Sequence, residues 1–388
     1  MPTEQLTRNI HIITQDHLNQ RAFAGCDILI AYQGKILYHQ SHGWAQLYNE
    51  EGRLANPRPL DKLNNLFDIA SMTKVIATTQ AMMLLLDQKL YRLQDSIYRY
   101  LPELNKIGRD INIRQLLTHS SGLPAWKPIY YHAKKKSDIL QFINELPLIY
   151  PRDTKSIYSD FSFILLGYII ENITYTPLHE FIEKYIFQAL DMQFTLYLPL
   201  RYYSPNQIVA TSHGNPYEMK IIRDNQLNFL CTKKFNDFLA WRKKTLIGQV
   251  NDGNAFYAMQ GVSGHAGVFS TARDLFLLGE LIINQGSYQN TTLYQENIAH
   301  QFTQAYFPHR ALGWEVNRPS YMGDLSSQQT IGHTGFTGAQ VIYDLKQHLQ
   351  IIILTNRQNM GVQRDGTYRS TQPYSKAIAN CVAQLIHS

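Results

Sequence analysis

FDIASMTKVIATTQAMMLLL, residues 67–86, sets a serine and a lysine three positions apart and then runs into apolar residues at helical spacing. Positions i and i+3 of a helix share a face, so Ser71 and Lys74 can meet. A serine at the head of a helix also lies near unpaired backbone N–H groups, which favour developing negative charge. The same pair can equally be a helix cap and a surface lysine. Chemistry separates the two readings. A lysine is a cation at neutral pH and accepts a proton only when desolvated or placed near another positive centre. A second proton-transfer group and an oxyanion hole are needed as well.

Candidates for both lie further along the chain. Tyr158-Ser159-Asp160 stands immediately before FSFILLGYII (161–170), a helical pattern. His333-Thr334-Gly335-Phe336-Thr337-Gly338 precedes an apolar strand, and its glycines let backbone approach a ligand closely.

Around these segments the periodicity is mostly clear. CDILIAYQGKILYHQSHGWA (26–45) reads as two strands about Gln33-Gly34-Lys35. Helical spacing recurs over 75–90, 113–117, 137–146, 161–172, 177–190, 272–285 and 374–387, and strands are expected at 339–344 and 349–355. Residues 201–260 follow neither period for long. The fold class expected is therefore α/β (α+β): an antiparallel β-sheet made from both chain termini and flanked by helices, with a large, mainly helical insertion. Residues 1–70 and 311–388 are assigned to a sheet domain, and 71–310, including the poorly readable 201–260, to a mainly helical one. A cleft between two such bodies is a natural place for a site.

Composition narrows the function. The chain has 388 residues, 44% hydrophobic and 17% charged, enough for a large core and no disordered tract. The net charge of +6 is mild and spread along the chain. Lys134-Lys135-Lys136, beside Tyr130 and Tyr131, reads as a solvated face, so no nucleic-acid partner is expected. Cys26, Cys231 and Cys381 are too widely spaced for a zinc site or a paired framework and read as buried thiols. No histidine pair has zinc-site spacing, so no metal is implied. GxSxG and GxGxxG are absent, which removes an α/β-hydrolase elbow and a dinucleotide site. The N-terminus lacks the apolar core of a signal peptide, and no stretch is long enough to span a bilayer. As written the chain reads as soluble and cytoplasmic, or periplasmic or secreted if a leader was removed; the oligomeric state is open.

Ser71-Met72-Thr73-Lys74, Tyr158-Ser159-Asp160 and His333-Thr334-Gly335 together resemble the three motifs of the penicillin-recognising serine hydrolases. These include class C β-lactamases, DD-peptidases and related esterases and amidases. LLTHSSGLP (116–124), YSDFSFILLGYIIE (158–171) and GHAGVFSTARDL (264–275) extend the resemblance over about residues 25–385. A literal Tyr-x-Asn at Tyr288-Gln289-Asn290 lies out of order and reads as a surface turn. The combination of YSD, VNDGNA (250–255) and GHTGFTG is similar to penicillin-binding protein 4B and the N-acetylmuramoyl-L-alanine amidases.

The resemblance implies a β-lactamase/transpeptidase-like fold and an acyl-enzyme on Ser71, with no cofactor. Lys74, held neutral, would take or relay the serine proton, and Tyr158 would serve the leaving group and the deacylating water. Asp160 would orient substrate and Lys74. The backbone N–H groups of Ser71 and Phe336 would form the oxyanion hole, with Thr334 and Gly335 lining the substrate edge. Two departures stand out. Asp160 often has Asn as its counterpart in the family, and its charge favours a cationic Lys74. His333 replaces a lysine that can hold a carboxylate, so turnover of carboxylate substrates should fall as pH rises through about 6–7 if His333 takes over that task. His119 reads as structural, and His265 as either structural or site-lining. The substrate implied is a small molecule or peptidoglycan fragment, with a covalent β-lactam adduct as a further outcome. A small-ester esterase, a β-lactamase and a slowly acylating wall-peptide receptor share these residues.

Overall fold

The computed structural model describes residues 2–61, 64–224 and 233–386. Its centre is a seven-stranded sheet in the spatial order Glu315–Val316, Thr330–Thr334, Gln340–Asp344, Leu349–Thr355, Gly25–Tyr32, Lys35–Asn49 and Gly52–Pro59. Neighbouring strands run antiparallel throughout. The two ends of the chain meet at its middle, where Cys26 lies opposite Thr355 and Tyr32 opposite Leu349. This is the terminal-strand sheet expected from the periodicity.

Both faces of the sheet are covered, which explains why its central strands read as continuous apolar runs. Leu29, Val341, Tyr343, Ile352 and Leu354 belong to one apolar cluster, continuous with Met72, Val75 and the helices beyond them. Ile28, Ile30, Ile342, Ile351 and Ile353 point the other way and meet Leu6, Ile10, Tyr374 and Ile378. Those last four come from the helices Pro2–Asn19 and Gln372–Ile386. On the first face lies helix Ala272–Ile283, where the Tyr343 hydroxyl donates to the Leu275 carbonyl at 3.1 Å.

Several elements escaped the sequence pattern, among them the strands Glu315–Val316 and Thr330–Thr334, the second of which holds His333. Helix Pro2–Asn19 is largely polar, with only a narrow apolar stripe buried. Strand Gly52–Pro59 carries Pro57 and Pro59 and is tolerated because it lies at the sheet's edge. The described residues of 201–260 form short pieces, including the paired strands Ala210–His213 and Thr245–Ile247 and the helix Pro216–Arg223. Cys26 and Cys381 are buried free thiols, and Cys231 lies outside the described residues. Among the described residues no helix is long and apolar enough to cross a membrane.

Candidate active site

The nucleophile segment is held from both sides before its helix begins. Phe67–Asp68 pairs with Val268–Ser270, and Ile69 N–H donates to the Val268 carbonyl. The Asp68 carboxylate accepts from Ala70 N–H at 2.8 Å and Asn251 N–H at 2.7 Å. Ala70 then takes a left-handed backbone, φ 46°, which a side chain rarely adopts. That turn precedes Ser71 in the tight turn Ala70–Met72, and a wide, π-type turn follows over Lys74–Thr78 before regular helix at Thr79–Asp87. The helix predicted over 75–90 is therefore irregular in its first turns, where the two polar side chains meet.

Lys74 is completely buried. Its Nζ donates to Ser71 Oγ at 3.0 Å and to the His265 carbonyl at 3.0 Å, and pairs with Asp160 Oδ1 at 2.8 Å. Burial favours the neutral amine, but the Asp160 carboxylate and Tyr158 more than offset it and raise the Lys74 pKa. The neutral Lys74 expected from the resemblance is thus corrected: with aspartate at 160 it rests as a cation. Burial also raises the Tyr158 pKa; Lys74 lowers it and Asp160 raises it, leaving a phenol at neutral pH.

Tyr158 is placed by the segment before the helix Asp160–Thr174. His119 Nδ1 accepts the Ser159 N–H at 3.0 Å, and the His119 ring lies 4.7 Å from that of Tyr158. Burial, then the charges of Arg310 and Lys74, hold the His119 pKa well below its usual value, so it acts as a neutral prop. This agrees with the structural role expected for it. The side chain of His265 is also buried, bonded to Asp252 at 2.9 Å and Ser263 at 2.7 Å; its carbonyl, rather than its ring, anchors Lys74.

The third motif closes over the same turn. His333 and Thr334 end the strand Thr330–Thr334, and Thr337 Oγ1 donates to the Asp68 carbonyl at 2.6 Å. A Cβ on Gly335 would sit 2.4 Å from the Ile69 carbonyl oxygen, so only glycine lets this edge approach the nucleophile. Ser71, Tyr158, His333, Thr334, Gly335 and Phe336 line a cavity of about 470 Å³. Ser71, Tyr158, Phe336 and Asp160 also line a neighbouring one of about 300 Å³. The structure therefore brings together all eight residues singled out in the sequence.

His333 lies deep in this wall, 2% exposed. Burial pushes its pKa down to about 4; Glu315 opposes this, and Arg310 and Lys74 add to it. Its Nδ1 lies 2.9 Å from the Thr334 carbonyl and so carries the ring proton, leaving Nε2 as an acceptor. A neutral ring at pH 7 is what a histidine at this position was expected to give, and the lowered pKa argues against the conditional role of a cation that holds a carboxylate.

Sequence reasoning missed the walls of the cleft. Arg310, Glu315, Arg318 and Arg357 line the larger cavity, and Trp126, Tyr217, Glu218 and Asp252 the smaller one. They come from loops and short elements without periodicity; only Asp252 lay in a quoted motif, VNDGNA (250–255), and it was not singled out there. Burial beside Asp252 pushes the Glu218 carboxyl up to about 7. Asp160, Asp252 and His265 set ligand-type atoms within 4.8 Å of one another, from three separate segments. The Lys74 ammonium, 2.8 Å from Asp160, supplies positive charge to that cluster.

Comparison with known proteins gives the family and the fold. The family described as Beta-lactamase matches residues 13–372. An N-acetylmuramyl-L-alanine amidase of Bacillus subtilis (strain 168) is 33% identical over 362 residues, covering 88% of this chain and 78% of that protein. A protein of Salmonella agona (strain SL483) named "Putative D-alanyl-D-alanine carboxypeptidase" is 35% identical over 364 residues, covering 88% of this chain and 80% of its own. Among solved structures, EstCE1, a hydrolase with promiscuous acyltransferase activity, superposes with a TM-score of 0.73 at 19% identity over 98% of this chain and 99% of that one. A class C β-lactamase does so with 0.70 at 16% identity, over 98% and 99%. Both share the fold.

Proposed function

Since the chain belongs to the beta-lactamase family of serine hydrolases, we propose that it cleaves an amide bond of a peptidoglycan-derived peptide through an acyl-enzyme on Ser71. The observation that carries the reading is the buried Lys74 ammonium, bonded at once to Ser71 Oγ and Asp160.

The proton path follows from that geometry. Ser71 Oγ attacks the amide carbon while its proton passes to Lys74 and a lysine proton passes on to Asp160, so the aspartate is the net base. The N–H groups of Ser71 and of Phe336, in the turn after strand Thr330–Thr334, stabilise the oxyanion. When the tetrahedral species collapses, Tyr158 gives its proton to the leaving nitrogen and is reprotonated from Lys74, which recovers its own from Asp160. Water then repeats the sequence against the ester, releasing the acid and restoring the serine hydroxyl.

An arginine-lined cavity beside Ser71 favours a charged peptide over a simple ester. Incubation of a muramoyl pentapeptide with the parent and with Ser71→Ala, followed by mass spectrometry, tests this. Release of the whole peptide from the sugar marks a muramoyl amidase, and loss of one alanine marks a DD-carboxypeptidase. Absence of either product, or the same product from Ser71→Ala, rejects the proposal.

A further inference from the structure

The larger cavity has more positive charge and more unused hydrogen-bonding capacity than catalysis requires. Three guanidinium groups line it, those of Arg310, Arg318 and Arg357, against one carboxylate, Glu315. Arg310 and Glu315 face each other across an antiparallel bridge, with Arg310 Nη2 3.6 Å and Arg318 Nε 3.7 Å from Glu315 Oε1. Burial opposes ionisation of Glu315, but Arg310, His333 and Arg318 hold its pKa below the usual range. Two positive charges are left without a counter-charge in the lining.

Unsatisfied atoms gather at the same place. Arg310 is 8% exposed, yet its Nε and Nη1 carry no hydrogen bond among the described residues, and neither does Arg318 Nε. His333 Nε2 and Gln340 Oε1 are likewise unpartnered, and both residues line this cavity. Buried polar groups left unpaired call for a partner from outside the chain. Here the open donors are cationic and the open acceptors neutral, a pattern that a peptide complements with carboxylates and amide N–H groups.

We infer that this cavity is a subsite for an acidic peptide portion of the substrate carrying two carboxylates, held by the Arg310–Arg318 pair and by Arg357, with a peptide N–H donating to His333 Nε2. This deepens the proposed hydrolase reading and rests on it for the identity of the ligand as substrate. It also reassigns the task a lysine at position 333 would perform: the cation comes from the loop bearing Arg310, and one carboxylate does not exhaust it. At about 470 Å³ the cavity is within the range of small-ligand sites.

Calorimetric titration of the full chain with N-acetylglutamate and N-acetylglutamine, each as both enantiomers, tests the subsite with ligands of matched size and different charge. Glutamate of one configuration is expected to bind roughly tenfold or more tightly than the glutamine analogue. The gap should narrow with added salt and close in Arg318→Gln, a change at a partly exposed side chain. Equal or undetectable binding of the two ligands, or a gap that survives Arg318→Gln, overturns the inference. Calorimetry needs no turnover, so such a result beside Ser71-dependent hydrolysis counts against the subsite alone. Inactivity toward every amide and ester counts against the hydrolase reading instead.

Discussion

Lys74 and Asp160 form a 2.8 Å ion pair in which the lysine is wholly buried and also donates to Ser71 Oγ at 3.0 Å. The pair changes what the lysine can do. A buried lysine alone sheds its proton readily, whereas one beside a carboxylate keeps it. The serine proton must then displace a lysine proton onto Asp160.

Asp160→Asn separates this relay from direct catalysis by a neutral lysine. Removing the carboxylate leaves burial to lower the Lys74 pKa, so the lysine becomes neutral more easily. The relay predicts a fall in acylation rate of about 10²-fold or more at pH 7, measured by stopped-flow mixing with a chromogenic ester. An unchanged or faster rate would mean that Lys74 accepts the proton by itself.

An ionisation near pH 7 is expected in the smaller cavity, where burial and the neighbouring Asp252 push the Glu218 carboxyl up. His333, at about 4, stays neutral at that pH. A kcat/KM profile from pH 5.5 to 8.5 should lose its inflection near 7 in Glu218→Gln and keep it in His333→Asn. The opposite pattern assigns the titration to His333 and restores its carboxylate-binding role.

Stability should fall in acid for a related reason. His333 has a folded pKa of about 4 against an ordinary 6.5, so between those values the unfolded chain binds the proton and the folded one does not. The stability due to its neutral burial is therefore complete above pH 6.5 and declines as pH falls through about 4, with a loss of roughly 2 kcal/mol by pH 5. Urea unfolding at pH 7 and pH 5 should show a smaller acid loss for His333→Asn than for the parent. Equal losses would mean that the ring is already charged, or solvated, in the fold.

Gly335→Ala tests the closeness of the third motif to the nucleophile. The added Cβ would meet the Ile69 carbonyl at 2.4 Å and push the strand edge off the Ser71 turn. Overpacking of this kind costs about 1–3 kcal/mol of stability, whereas displacing an oxyanion donor costs about 10²–10³ in rate. Thermal melts and ester hydrolysis measured together should show a modest fall in Tm and a large fall in kcat. A variant with full activity would remove that edge from the reaction.

How much was legible follows from how local each signal is. Ser71 with Lys74, Tyr158 with Asp160, and His333 with Gly335 are short motifs beside strongly periodic segments, and their order along the chain could be read directly. The sheet could be read because Ile28, Ile30, Ile351 and Ile353 lie in runs that only burial on both faces explains. Arg310, in a loop, faces Glu315 of the short edge strand through a single bridge, so their pairing is a tertiary fact. The direction of the Lys74 charge was readable from Asp160, whereas its complete burial, and the balance of burial against that carboxylate, are tertiary facts. Glu218 and Asp252 lie in the stretch without a period, where short elements are fixed by contacts with the rest of the chain.

The central claim, that Ser71 forms the acyl-enzyme, is tested most directly by intact mass and peptide mapping after incubation with a fluorescent penicillin and with a nitrophenyl ester. The account predicts an added acyl group from at least one of them, mapped to Ser71 and absent from Ser71→Ala. An adduct on another residue, or ester hydrolysis that Ser71→Ala retains in full, would contradict it.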